Sequence, residues 1–162
     1  MAGELAVLAS DGAYAVVVAD RIVAAVWRQQ ITTAHVRTIV SASQGVTQRF
    51  PGEAILAMLV EAKTPVPGDD VRKAMTEWIR AGKGLRCTAV VAEGSGFQQS
   101  LMRSVVAGLT LVVRPPAPLK VVSSVAEAAE WASKQGTPAG GAAVERAVRE
   151  TLEATRAKIT VK

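Results

Sequence analysis

A chain of 162 residues, 49% hydrophobic but only 4% aromatic, is long enough for one domain with a core of small side chains, which excludes a disordered tail and a disulfide-stapled miniprotein. Its formal charge of +5 comes from 19 basic and 14 acidic residues with no run of five like charges, the pattern of a solvated surface and not of a nucleic-acid stripe. Cys87 is the only cysteine, so an internal disulfide and a CxxC metal or redox motif are both excluded.

The start, "MAGELAVLASDG", has no basic n-region, and Glu4 and Asp11 interrupt its apolar stretch, so neither a signal peptide nor a membrane span is expected. A cytoplasmic protein without stable membrane insertion follows. The first 28 residues read as a β-meander: "LAVLAS", the hairpin signal Asp11-Gly12, "AYAVVVA", a corner at Asp20-Arg21, then "IVAAVWR". Thr32-Thr33 offers an N-cap to a helix whose stripe is Val36, Ile39, Val40, Val46 and Phe50, closed by Pro51-Gly52. "AILAMLVEA" is apolar throughout and predicts a central strand covered on both faces.

After the loop "KTPVPGDD", Val71, Ala74, Met75, Trp78 and Ile79 fall on one helical face. Asp69 and Asp70 suit the positive N-terminal end of that helix, with Asp70 as its N-cap. Lys73, Glu77 and Arg80 take the opposite side. "LRCTAVVAEG" predicts a second buried strand. In "GSGFQQSLMRSVVAGLTLVV", Ser95 is the expected N-cap, and Phe97, Leu101, Val105, Leu109 and Val112 the buried stripe, widened by Met102 and Val106, with Gly108 permitting close packing on the sheet. "RPPAP" stops the helix. "LKVV" is a last strand, and Ser124 with Glu127 forms a capping box for "VAEAAEWAS".

Residues 136–142, a Gly/Pro linker, separate this domain, 1–135, from an amphipathic helix over 143–158. Val144, Val148 and Leu152 recur on a narrow seam of that helix. Too short to be stable alone, it must dock on its own domain, pair with its copy or bind something else. The whole reads as an α/β fold, a mixed β-sheet with an N-terminal β-meander followed by alternating helices and strands, plus a C-terminal helix.

Chemistry is sparsely provided for. His35 is the only histidine, read as a partly exposed structural residue at a helix start, and Cys87 as an inert buried thiol. "EGSGFQQS" lacks a Walker lysine and completes neither G-x-G-x-x-G nor G-x-S-x-G. No catalytic, cofactor-binding or metal-ligating residue is assigned.

The stretches "RCTAVVAEGSGFQQSLMRSVVAGL" and "RPPAPLKVVSSVAEAAEWA" resemble the STAS and anti-sigma-factor-antagonist-like superfamily, in particular its bacterial STAS or CRAL-TRIO-like branch. Glu127, Ala128 and Trp131 match the E-A-x-x-W-like ending of that branch, and the likeness spans roughly residues 4 to 135. The resemblance implies a regulatory or binding module and not an enzyme. Its switching members carry a phosphorylated serine or threonine in a D-S-x-G-like motif after the central strand, where this chain has "VEAKTPVPGDDVRKAM", with Thr64 the nearest hydroxyl. The expectation is a non-catalytic regulatory or scaffolding module that binds a protein partner, or itself as a homodimer through the C-terminal helix. Its contact surface is expected at Asp69, Asp70, Lys73, Glu77 and Arg80, or at Val144, Val148 and Leu152. A carrier or sensor of an apolar small molecule or lipid, held in a groove between helices and sheet, is the alternative.

Overall fold

The computed structural model describes residues 4–81, 84–135 and 141–159, without the side chains at 81, 98, 110, 112 and 113. Three antiparallel strands open the chain: β1 (Leu5–Ser10), β2 (Tyr14–Ala19) and β3 (Ile22–Trp27). Asp11 makes the first hairpin by accepting the Ala13 and Tyr14 N–H groups on its Oδ1, at 2.6 and 3.0 Å. From β3 onward, helices alternate with parallel strands: α1 (Thr33–Arg49), β4 (Ala54–Val60), α2 (Asp69–Ala81), β5 (Leu85–Ala92), α3 (Phe97–Val113), β6 (Leu119–Val122) and α4 (Val125–Ser133). The sheet order is the sequence order, β1-β2-β3-β4-β5-β6. The α/β class and the meander are as expected from the sequence.

Side chains alternate between two cores because successive residues of a strand point to opposite faces. Val23, Ala25 and Trp27 of β3, Leu56, Met58 and Val60 of β4 and Val90 of β5 meet α1, α2 and α3. Ile22, Ala24 and Val26, Ile55, Ala57 and Leu59, and Cys87, Ala89 and Val91 meet α4 and a last helix, α5 (Gly141–Ala157). All seven residues of β4 are buried, which explains its unbroken apolar run. Thr32 caps α1 by accepting the His35 N–H at 3.2 Å, while His35 Nδ1 accepts the Thr32 N–H at 3.2 Å, so an imidazole fills the place usually taken by Glu in a capping box. Ser124 caps α4 by accepting the Glu127 N–H.

Four expectations change. α5 begins at Gly141, inside the expected linker, of which residues 136–140 lie outside the described residues. The helix packs on the sheet beside α4, with Val148 and Leu152 fully buried and Thr151 and Thr155 beside them. Both threonines donate their hydroxyls to helix carbonyls one turn back, at 2.6 Å, which lets polar residues continue the seam into the core. Gly68, whose carbonyl accepts the Arg72 N–H, holds the capping position of α2 in place of Asp70. Gly96 does the same for α3 in place of Ser95, accepting from Ser100. Finally, Met102 and Val106 of α3 are buried as expected and Gln99 joins them, while Phe97 stands 85% exposed, Leu101 is exposed too, and the Val112 side chain lies outside the described residues. α3 is apolar nearly all round, so periodicity alone does not fix which side faces the sheet.

Candidate interaction site

The carboxyl ends of β3, β4 and β5 gather the polar groups of the molecule. Arg28, just past β3, holds Glu61, just past β4, by two hydrogen bonds of 3.1 Å. That bond to Glu61 raises the Arg28 pKa against the opposing effect of burial. Glu93, past β5, accepts from Arg156 near the end of α5 at 2.8 Å. Burial disfavours the Arg156 charge, but the Glu93 bond and the charges of Glu93, Glu153 and Glu61 outweigh it and raise its pKa. Arg103 of α3 donates to Ser123 Oγ at 2.6 Å and to the Ala92 carbonyl at 3.4 Å. These contacts fasten α5 and α3 to one sheet edge, each carboxylate engaged by a guanidinium. Gly94 has φ +96°, and a Cβ there would stand 2.9 Å from that of Ala62, so only glycine fits this turn. Gln99 Oε1 and Arg103 Nε are buried nearby without a hydrogen-bond partner.

His35 and Cys87 stand on opposite sides of the sheet. His35 is buried and stacked on Tyr14, ring centres 3.6 Å apart, and its Nδ1 also accepts from Trp27 Nε1 at 3.3 Å. Burial lowers its pKa, with Asp11 opposing. The sequence placed it partly exposed; its role in the α1 cap draws it inward. Cys87 is fully buried in β5, and burial pushes its thiol up to about 12, with Arg86 opposing. Among the described residues, no three His, Cys, Asp or Glu side chains are grouped to hold a metal ion. No described helix is long and apolar enough to cross a membrane. Thr64 is buried, its hydroxyl donating to the Trp27 carbonyl at 2.9 Å.

The expected contact residues fall into two groups. Asp69, Asp70, Lys73, Glu77 and Arg80 are all exposed on α2, with Asp69 paired to Arg72 at 2.8 Å. Their signs alternate along the helix, an arrangement that supports the helix itself. Val144, Val148 and Leu152 are not brought to the surface: Val148 and Leu152 lie in the core, and Val144 packs half-buried against it. The apolar seam of α5 is thus taken up by its own chain.

The outward face of α3 carries two residues expected in the core, Phe97 and Leu101, together with Leu111. Phe97 is 85% exposed, Leu111 82% and Leu101 40%. Ser100, Ser104, Ala107 and Gly108, also exposed, lie between them on the same side of the helix. Arg103 is the only charged residue of α3, and it is turned to the Ala92 carbonyl and Ser123. The signal was present in the sequence, because a helix with a solvated side needs charges there and "FQQSLMRSVVAGLTLVV" supplies one.

Between α1, α2, α3 and the sheet lies an apolar cavity of about 30 Å³, walled by residues including Trp27, Met58, Val60, Trp78, Val90 and Met102. That is room for roughly one water molecule. No family model and no curated protein matches this chain.

Proposed function

We propose that the chain is a non-catalytic regulatory or scaffolding module, of the kind the STAS resemblance implies, that acts by binding protein. The observation that carries this reading is the uncharged outward face of α3, where Phe97 and Leu111 stand far more exposed than the apolar residues of the edge strand β1. The Arg28–Glu61 and Arg156–Glu93 pairs at the carboxyl ends of β3, β4 and β5 support it as well, since each carboxylate there is already engaged in holding the fold together. In this reading α3, and not the charged side of α2 or the seam of α5, is the contact surface.

The test immobilises the full chain and compares what wild type and a Phe97→Ser/Leu111→Ser variant retain, with Lys73→Glu/Arg80→Glu on α2 as the control. Partners that wild type and the α2 variant keep are lost from the α3 variant, whose circular dichroism stays unchanged. Equal retention by the α3 variant overturns the reading. The carrier alternative draws on the apolar cavity under α1, α2 and α3, but at about 30 Å³ that cavity admits a lipid or drug-sized molecule only if the helices part. Native mass spectrometry decides it: a retained small molecule on each protomer would favour the carrier.

A further inference from the structure

On the sheet face that carries α1, α2 and α3, each helix arrives as the crossover between two parallel strands. β1, β2 and β3 are joined by hairpins, which bring no helix with them. Between β1 and α1 a groove of about 720 Å³ therefore lies open, far larger than the cavity of about 30 Å³ under α1, α2 and α3. Its floor is apolar, formed by Ala6 and Leu8 of β1 and Val18 of β2, with Leu8 50% exposed. Its wall is α1, where Ser41, Ala42 and Gly45 are too short to fill it.

The charges of the groove are all of one sign. Arg37 and Arg49 of α1 line it, and no carboxylate does. Unlike Arg28 and Arg156, neither is held by an acidic side chain among the described residues. Arg49 lies over the Phe50 ring, 5.3 Å from its centre, and so keeps its charge at the surface. The two arginines are twelve residues apart, roughly 18 Å along α1. The β1–β2 register shifts between Val7 and Ala9, and such a bulge at a sheet edge discourages the addition of another strand.

From the apolar floor, the paired arginines and the bulged edge, we infer that this groove takes an acidic amphipathic helix of a protein partner. The helix lies beside α1, its apolar side on Leu8 and Val18 and its carboxylates facing Arg37 and Arg49, as amphipathic helices lie in grooves. This surface is separate from the outward face of α3, and its occupancy does not depend on that face. A single helix in an open groove is a small and transient contact, read at equilibrium and not by retention after washing.

The probe is a fluorescent amphipathic peptide of about 15 residues, roughly 22 Å as a helix, stapled on its outer side and carrying glutamates at both ends of its apolar face. Fluorescence anisotropy with the full chain should show saturable binding that weakens as salt rises. The same peptide with lysines for the glutamates should bind about tenfold more weakly. Arg37→Glu/Arg49→Glu, at two exposed positions, should reverse that preference with the fold intact. Gly45→Leu should block both peptides, since a Cβ there meets nothing and the side chain enters the groove. The Phe97→Ser/Leu111→Ser variant should bind as wild type does. No saturable binding, equal affinity for the two peptides, or an unchanged preference in Arg37→Glu/Arg49→Glu overturns the inference. So does binding of phosphatidylglycerol vesicles through Arg37 and Arg49 in place of the peptide, which would make the occupant a lipid surface. If the peptide fails while the Phe97→Ser/Leu111→Ser variant still loses partners, the function reading stands and only the groove falls.

Discussion

His35 reads as structural in the sequence, and the fold shows which contacts make it so. Its Nδ1 accepts two N–H groups, from Trp27 and Thr32, and its ring lies on Tyr14. Both bonds require an unprotonated Nδ1, and burial lowers the pKa accordingly. With the folded value below the unfolded one of about 6.5, the histidine's contribution is whole above about pH 6.5 and is lost as pH falls through the folded value. His35→Asn, which keeps an acceptor but does not titrate, should show a flatter loss of stability than wild type between about pH 7.5 and 5 in urea titrations. Equal slopes for the two proteins would contradict this role. The cap itself was legible, because Thr32-Thr33 precedes an apolar stripe; the imidazole's part in it was not, because a capping box normally closes with Glu or Gln.

At the scale of elements, strands and helices were legible wherever period and punctuation agreed. β4 and β5 announce themselves by unbroken apolar runs, and α4 by Ser124 three residues before Glu127. α3 and α5 were harder for opposite reasons. α3 has too many apolar residues, so Phe97 and Leu101 counted as core, although among the described side chains of the helix the fully buried ones are Gln99, Met102 and Val106. α5 has too few, so its narrow seam left self-docking and pairing with a partner as equal possibilities. The buried Thr151 and Thr155, each closing a hydrogen bond within the helix, widen the inward face without an apolar signal. Leu152 is fully buried, so Leu152→Ala should lower stability by about 2–5 kcal/mol. Against a total of roughly 5–15 kcal/mol, deleting α5 should then unfold the domain and not leave it folded. A cooperative thermal transition in a chain ending at Gln135 would contradict that placement.

For the molecule as a whole, β2 to β5 are covered on both faces and the sheet is open at its two edge strands. β1 exposes Leu5, Val7 and Leu8 at one edge, although Ser10 ties its end to the Lys158 carbonyl of the last turn. β6 ends the other, with Lys120 outward, a charge that discourages pairing along that strand. α3 lies over β5 and β6 at that guarded end. Fold class came from the order of elements; the exposed face of α3 did not, since exposure on an almost uniformly apolar helix is settled only by packing.

The claim that the outward face of α3 is the contact surface is tested most directly on the Phe97→Ser/Leu111→Ser variant, with thermal unfolding and partner retention measured on the same samples. Both side chains stand exposed, so the melting temperature should stay within about 2 °C of wild type. The partners that wild type and the Lys73→Glu/Arg80→Glu variant retain should be lost. An α3 variant that melts as wild type does and retains the same partners would contradict the account.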